Sequence, residues 1–420
     1  MQAREALEYA IHLFLLLVAA RVFGRLAQRF GQPSSVGEIL GGVAVAFLIA
    51  PLSKDFPILL DLTHGPAITI ASEVGIFFLL LHTGIEMQPK EMSSHTKESI
   101  AVAIGGMALP LLLGFAFAFM LLPESPWKQT QALVIGVALS ISAIAVAARI
   151  FIEFKLLHQP IGEIVVTAAI FDDVLGLILL AVVTSMISLG HLPGLDAILL
   201  IGLKVGLFFL ATGVVGYYGY PWVWRQVAKL AIPGIRLSVL LAFGLAFSLL
   251  AELLGVHFML GAFMAGLFFE SRRVGKETYT HNKALIGNVT SGFFAPIFFA
   301  YIGCQLDLSS VATIPGFLFG LVLIAFFGKL IGGGLPAYWV GLSKRHALAV
   351  GVGLSGRGGV DLIVASIALK AGVFSVANGD HPILANLFSA LVLTAIITTL
   401  LVPILLRWIL QPSSNLRSKH

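Results

Sequence analysis

The sequence contains very little charge and almost no cysteine. Only 11% of its 420 residues are charged and 58% are hydrophobic, whereas a soluble domain carries about 25% charged residues. A chain with so little polar surface cannot cover itself in water. The single cysteine, Cys304, excludes an internal disulfide. The composition therefore excludes a soluble globular protein and indicates a protein that lies in a lipid bilayer.

The positive charge does not indicate a nucleic-acid partner. The net charge is +5, but the basic residues lie in alternate loops instead of one patch, so we expect no nucleic acid. No cluster of His, Cys and acidic residues has the spacing of a metal site, and we expect no cofactor. No cleavable leader is evident, because Arg4, Glu5 and Glu8 precede the first apolar run.

Apolar stretches long enough to cross a bilayer as helices, about 20 residues each, recur from end to end. They predict an all-α integral membrane protein with about thirteen transmembrane helices. The predicted spans are 8–28, 34–52, 67–86, 99–122, 130–154, 161–189, 195–224, 235–254, 256–271, 284–306, 312–341, 345–371 and 383–410.

The basic residues test this count and set the orientation. Of the 26 Lys and Arg residues, most lie in loops after odd-numbered spans or in the C-terminal tail. Basic residues are concentrated in cytoplasmic loops, so the N-terminus is predicted outside and the C-terminus in the cytoplasm. The opposite side has only Arg4, Lys54, Lys128 and Lys370, and three basic residues lie inside spans, namely Lys204, Lys329 and Arg357.

Two pairs of segments indicate an internal repeat. Residues 136–142 in the fifth span resemble 351–357 in the twelfth, and residues 78–87 in the third resemble 299–306 in the tenth. Both pairs lie seven spans apart, an odd number, so the copies face opposite ways across the bilayer. Many secondary transporters use such inverted repeats. The alternative is chance similarity between glycine-rich apolar helices.

Two adjacent acids in the sixth span, Asp172 and Asp173, are the first candidates for chemistry. A charge at the bilayer centre costs about 2.5–3.5 kcal/mol or more, so it needs a partner and a use. Adjacent helical residues point about 100° apart. One carboxylate can therefore hold a neighbouring cation, for which Lys329 is the natural choice, while the other faces a cavity and binds either H⁺ or a small cation. The alternative is a network that only fixes helix packing.

The stretch 354–359, which reads Leu-Ser-Gly-Arg-Gly-Gly, would break a membrane helix. Irregular backbone is tolerated in a membrane where it lines a cavity, and freed oxygens there can bind a cation. Asp361 lies four residues after Arg357, so an ion pair between them is expected, with a structural or a gating role. The supporting oxygens are predicted at Ser140, Ser142, Ser355 and Gly356.

Taken in order, these residues resemble a known family. The chain is similar to the monovalent cation:proton antiporters, in the branch of NapA-type Na⁺/H⁺ antiporters and Kef-type potassium-efflux proteins. The resemblance covers nearly the whole chain. It is carried by the segments Gln-Pro-Ser-Ser-Val-Gly-Glu-Ile-Leu-Gly at 32–41, Leu-His-Thr-Gly-Ile-Glu at 81–86, Phe-Asp-Asp-Val-Leu-Gly at 171–176 and Gly-Arg-Gly-Gly at 356–359.

The resemblance implies an inverted-repeat antiporter fold with two crossed broken helices, the fifth and the twelfth, and a homodimer. It also implies Asp173 as the Na⁺ ligand and Asp172 as the partner of Lys329. We expect Asp172 to become a second Na⁺ ligand when that pair breaks. The implied domains are a dimerisation panel (1–97 and 233–311), a moving core (98–190 and 312–420) and a linker helix (191–232).

Two departures from the family pattern bear on the ion and on the gate. Kef-type proteins usually lack the double Asp, which favours the Na⁺/H⁺ branch. Many relatives have Arg-Gly-Glu in the twelfth helix, where this chain has Arg357-Gly358-Gly359. That difference puts a latch based on glutamate in doubt.

We therefore expect an antiporter of the cell membrane that exchanges cytoplasmic Na⁺ or Li⁺ for external protons by alternating access, and no enzyme. The alternatives are a K⁺/H⁺ exchanger and a passive cation channel. An intramembrane aspartyl protease is disfavoured, because its two carboxylates must share a proton and adjacent residues on one helix diverge.

Overall fold

The computed structural model describes residues 2–30, 34–49, 65–87, 95–189, 194–227, 232–256, 258–304, 309–357 and 381–410, with a few short pieces between them. This part of the chain is helical and contains no strand.

A helix occurs at each predicted span, and the helices are numbered accordingly. Two of them continue through a π-helical turn, at 215–219 and 290–294, and a third ends in one, at 45–49. The helices are α1 (Gln2–Arg29), α2 (Ser34–Ala44), α3 (Pro66–Glu86), α4 (Thr96–Leu121), α5a (Lys128–Ser140), α5b (Ile144–Glu153), α6 (Pro160–Leu189), α7 (Leu195–Val214 and Tyr220–Val227), α8 (Ile235–Leu253), α9 (Phe258–Leu267), α10 (Lys276–Val289 and Ala295–Cys304), α11 (Pro315–Trp339), α12 (Lys344–Gly353) and α13 (Leu387–Leu410).

Eight helices in the described part of the chain are long and apolar enough to cross a membrane. They are α1, α3, α4, α7, α8, α10, α11 and α13. The predicted class, an all-helical membrane protein, is confirmed. The exact number of thirteen spans stays a prediction, because α2 and α9 are shorter apolar helices, and neither α6 nor the interrupted fifth and twelfth helices are among the eight.

The interruptions lie where the sequence predicts them. Helix α5a ends at Ser140 and α5b begins at Ile144, and Ile141 between them has an extended backbone. Helix α12 ends at Gly353. The two breaks meet, because the Ala143 N–H donates a hydrogen bond of 2.9 Å to the Gly356 carbonyl. Backbone groups freed from one helix are thus partly satisfied by the other, as a membrane interior requires.

Close helix crossings support the inverted repeat. A Cβ atom at Gly84 of α3 would lie 2.2 Å from the Phe263 carbonyl oxygen of α9. At the equivalent Gly303 of α10 it would lie 2.0 Å from the Ile39 carbonyl oxygen of α2. Helices α3 and α10 are seven apart, and so are α2 and α9. Equivalent glycines therefore make equivalent crossings in the two halves.

Equivalent glycines of the two broken helices also make equivalent crossings. A Cβ atom at Gly136 of α5a would lie 2.6 Å from the Leu111 carbonyl oxygen of α4. At Gly351 of α12 it would lie 2.4 Å from the Leu330 carbonyl oxygen of α11. Small residues of this kind let membrane helices approach closely, so each broken helix is seated against the helix before it.

The helices pack in two groups. Helices α1, α2, α3, α8, α9 and α10 contact one another and are called the panel helices; α4, α5, α6, α11, α12 and α13 contact one another and are called the core helices. Helix α7 contacts α6 as well as α8 and α9. The division into a dimerisation panel and a moving core stays a prediction, because packing within one chain does not show which group dimerises or moves.

Alanine at Gly105 or Gly332 is expected to destabilise the core. These glycines face each other where α4 crosses α11, and a Cβ atom on either would lie 2.3 Å from the other's carbonyl oxygen. Overpacking of this kind costs about 1–3 kcal/mol of unfolding free energy. Thermal unfolding of the purified protein measures it, with Gly202→Ala as control because nothing lies within 4 Å of that position. Equal melting temperatures in all three variants would contradict the close crossing.

Candidate functional site

A buried ion pair links the core helices α6 and α11. Lys329 Nζ lies 2.6 Å from Asp172 Oδ2, and the two side chains are 0% and 1% exposed. The other carboxylate oxygen, Asp172 Oδ1, is buried and has no hydrogen-bond partner among the described residues. A buried pair is stable only if its remaining polar atoms are satisfied. The free oxygen thus leaves room for a further ligand.

The neighbouring carboxylate, Asp173, is not part of that ion pair. It is 7% exposed, and it makes no hydrogen bond or ion pair to the part of the chain that the structure describes. Successive residues of a helix differ by about 100° in direction, so Lys329 can engage Asp172 and leave Asp173 open. A carboxylate in this position can take up either a proton or a small cation.

Arg357 fills the break in the fifth helix. Its side chain is buried, and it donates from Nη1 to the carbonyls of Ala138 at 2.7 Å and Ile141 at 3.3 Å, and from Nη2 to that of Leu139. Nη2 also lies 3.4 Å from the carbonyl of Ala325 on α11. Carbonyls at the break in the fifth helix therefore accept hydrogen bonds from a guanidinium.

Thr399 anchors the backbone at the second break, and sequence reasoning missed it. Its Oγ1 accepts a hydrogen bond of 2.9 Å from the Arg357 N–H and donates one of 3.1 Å to the Arg357 carbonyl. The only signal in the sequence was a pair of threonines, Thr398 and Thr399, in an apolar span. Thr399 thus replaces the helical hydrogen bonds that Arg357 lacks.

The three predicted serines each have a hydroxyl oxygen that can still bind a cation. Ser140 Oγ donates to the Val137 carbonyl at 2.8 Å, and Ser355 Oγ donates to the Gly351 carbonyl at 3.0 Å. Ser142 Oγ is buried without a hydrogen-bond partner among the described residues. A hydroxyl that donates once still has lone pairs for a cation. Their role as supporting oxygens, like the ligand roles of Asp172 and Asp173, stays a prediction.

The ion pair of Asp172 and Lys329 lies close to the break in the fifth helix. A Cβ atom at Gly176, one turn after Asp172, would lie 3.6 Å from Ile141 Cγ1. Ala325, which Arg357 reaches, lies one turn before Lys329. The ion pair of Arg357 with Asp361 cannot be compared, because Asp361 lies outside the described residues.

The comparisons with known proteins agree with this architecture. The family described as sodium/hydrogen exchanger, transmembrane, matches residues 13–411. The chain belongs to this family. Its members are transporters, as the name states.

Several relatives and one fold can be named. The chain is 26% identical to the Na(+)/H(+)-K(+) antiporter GerN of Bacillus cereus, and the match covers 96% of each chain. It is also 26% identical to the high-affinity Na(+)/H(+) antiporter NhaS3 of Synechocystis, over 96% of this chain and 89% of the relative. The sodium proton antiporter MjNhaP1 of Methanocaldococcus jannaschii has the same fold, with a TM-score of 0.62, 16% identity and 96% of each chain covered.

Arg357→Gln is expected to destabilise the protein, because buried carbonyls at the break would lose their donors. A buried polar group left unsatisfied costs about 1–3 kcal/mol, and three such groups are affected. Thermal unfolding measures the loss. Arg225→Gln is the control, since Arg225 donates to one carbonyl at an exposed position. If the two variants had the same melting temperature, the guanidinium of Arg357 would not be stabilising the break.

Proposed function

We propose that this multi-pass membrane protein exchanges cytoplasmic Na⁺ (or Li⁺) for external protons by alternating access. The observation that carries the proposal is the open carboxylate of Asp173 beside the buried pair of Asp172 and Lys329. Membership of the sodium/hydrogen exchanger family and the names of relatives such as NhaS3 support the reaction. The name of GerN includes K⁺, which keeps K⁺ as a second candidate ion.

The exchange follows from competition at the two carboxylates. A proton on Asp173 and the ion pair between Asp172 and Lys329 make the ion-free site neutral apart from Arg357, which the backbone carbonyls hold. Na⁺ that enters displaces the proton from Asp173 and attracts Asp172 through its free Oδ1. Lys329 then loses its counter-ion and releases its own proton, because an unpaired charge is costly inside a protein.

The assembly and the setting belong to the same proposal. The protein acts as a homodimer in the cell membrane, with the panel helices forming the interface and the N-terminus outside. The basic residues favour this orientation. The exposed apolar side chains of α1 and α8, such as Phe14 and Leu249, offer a surface for lipid or for a second copy.

The competing functions fit the arrangement less well. A passive channel has no use for a lysine that pairs with one of two acids. Proteolysis by a carboxylate pair needs two carboxyl groups that share a proton, whereas the hydrogen bond of Asp172 goes to Lys329. We therefore propose that the chain is a transporter and not an enzyme.

Asp173→Asn is expected to reduce exchange to the level of protein-free liposomes while the protein remains folded. Asparagine has the same shape but can neither carry the proton nor neutralise the cation. Proteoliposomes that contain a pH-sensitive dye report exchange when Na⁺, Li⁺ or K⁺ is added under an imposed pH gradient.

Asp196→Asn is the matched control, because Asp196 is an exposed acid in the first turn of α7. Comparison of the three ions decides between Na⁺ and K⁺ as the substrate. Exchange retained by Asp173→Asn at a substantial fraction of the unmodified rate would exclude Asp173 as the coupling carboxylate.

Lys329→Gln is expected to reduce or abolish the net charge moved in each cycle. If Asp173 and Lys329 each release one proton when one Na⁺ binds, the unmodified protein exchanges two protons for one Na⁺ and is electrogenic. Glutamine at 329 leaves only the proton of Asp173, so exchange becomes electroneutral and depends less on pH.

Electrometry on a solid-supported membrane measures the transient current, and dye-based exchange runs in parallel. Lys204→Gln is the control, since Lys204 is an exposed lysine on α7. A protein that exchanges ions without any current before substitution would show that Lys329 carries no proton and has a structural role alone.

A further inference from the structure

A cluster of charged and hydroxyl side chains joins the panel helices to the core helices, apart from Asp172 and Lys329. It lies where the end of α1 and the start of α2 meet α5b, on the side that the positive-inside rule assigns to the cytoplasm. Its members are Arg21 of α1, Ser34, Ser35 and Glu38 of α2, and Arg149 and Glu153 of α5b. We call it the α2–α5b cluster.

Glu38 is the most deeply buried member of the cluster. It is 0% exposed, and its Oε1 lies 3.9 Å from Arg149 Nη2 and 4.0 Å from Arg21 Nη1. Neither carboxylate oxygen makes a hydrogen bond to the described residues, and both distances exceed hydrogen-bond length. A buried carboxylate held this loosely costs more than an apolar residue of its size. Its charge therefore calls for an explanation other than packing.

The contacts between the two groups of helices involve both Glu153 and Arg149. Glu153 accepts hydrogen bonds from Ser34 Oγ and from Ser35 Oγ, the latter at 2.9 Å. Arg149 Nη2 lies 3.4 Å from Ser34 Oγ and faces Glu38. The start of α2 is thus attached to α5b by hydrogen bonds and by one attraction between opposite charges.

The charges divide evenly between the two groups. If α5b moves away from α2, the panel helices retain Arg21 with Glu38, and the core helices retain Arg149 with Glu153, whose atoms are 3.2 Å apart. Each group keeps one positive and one negative charge. Separation therefore leaves no unpaired buried charge, which is the costly outcome. Such a division suits a contact that forms and breaks repeatedly.

We propose that the α2–α5b cluster is a reversible closure, which holds the core helices against the panel helices on the cytoplasmic side. It opens when the ion site turns toward the cytoplasm. Glu38 and Arg149 are positioning residues, because they set the relative stability of the closed state and do not touch the ion. The inference rests on the alternating access of the proposed function.

Cysteine labelling tests the closure without relying on transport. Ala143→Cys places a reporter at the break of the fifth helix, where the side chain is half-buried. A membrane-impermeant maleimide is added to inside-out vesicles, and mass spectrometry locates the label. Cys304 is 2% exposed within α10 and serves as the internal control, because a general loosening of the fold would expose it as well.

Glu38→Gln keeps the shape of the side chain and removes the attraction to Arg149. We expect it to speed labelling at position 143 about fivefold, a shift typical of one coupled contact, while Cys304 stays unlabelled. Arg149→Gln should act similarly, and the double variant should label no faster than the single ones, because one contact is lost only once. Glu124→Gln, which removes an exposed pair with Lys128, should leave labelling unchanged.

Three outcomes would overturn the closure. The first is an unchanged rate of labelling at position 143 in Glu38→Gln, and the second is labelling of Cys304 in the same variant. The third is a double variant whose increase in labelling rate is the product of the two single increases. Exchange measured on the same variants separates this inference from the proposed function. Faster labelling in a protein that exchanges no cation would support the closure and contradict the proposed antiport. A lower apparent KM for cytoplasmic Na⁺ in Glu38→Gln would support both.

Discussion

A break in a membrane helix must have its freed backbone groups satisfied inside the protein, and the core of this structure depends on that constraint. Arg357 meets it by donating to the carbonyls of Ala138, Leu139 and Ile141. The Ala143 N–H bonds to Gly356 across the two breaks, and Thr399 holds the backbone of Arg357. Several of the backbone groups that the two breaks free are thus bonded inside the protein, which stabilises the irregular segments.

The need to satisfy freed backbone groups also divides the buried charges into two kinds. Arg357 is engaged by main-chain carbonyls and keeps its charge in any state, so it contributes a constant positive charge beside the site. In the proposed exchange, the charges that change are those of Lys329, Asp172 and Asp173, whose contacts are few. Asp172 has one oxygen on Lys329 and the other without a hydrogen-bond partner among the described residues. In the proposed exchange, a cation that enters therefore alters one ion pair and one open carboxylate and leaves the break intact.

The sequence predicted the parts that depend on hydrophobicity and on helix-breaking residues. The run of apolar spans, the break at 354–359 and an ion pair between Lys329 and one of the two adjacent acids follow from the cost of placing polar groups in lipid. The choice of Asp172 and the break in the fifth helix came from the family resemblance. The environment of Arg357 did not follow. Its acceptors in α5 lie more than two hundred residues away along the chain, and the expected pair with Asp361, which lies outside the described residues, stays a prediction. Thr399 and the surroundings of Glu38 depend on tertiary contacts in the same way, and no local pattern reveals them.

The two kinds of helix contact in this chain differ in how easily they can be rearranged. Within each group, glycines bring backbones so close that a single Cβ atom would collide, as at Gly84 against α9 and at Gly105 against α11. Such crossings have one fitting register and resist sliding. Between the groups at the start of α2, the contacts are hydroxyls and long charged side chains, which can exchange partners without leaving a cavity. Packing within each group therefore resists sliding, and the polar contact at the start of α2 is the kind of contact that the proposed closure requires.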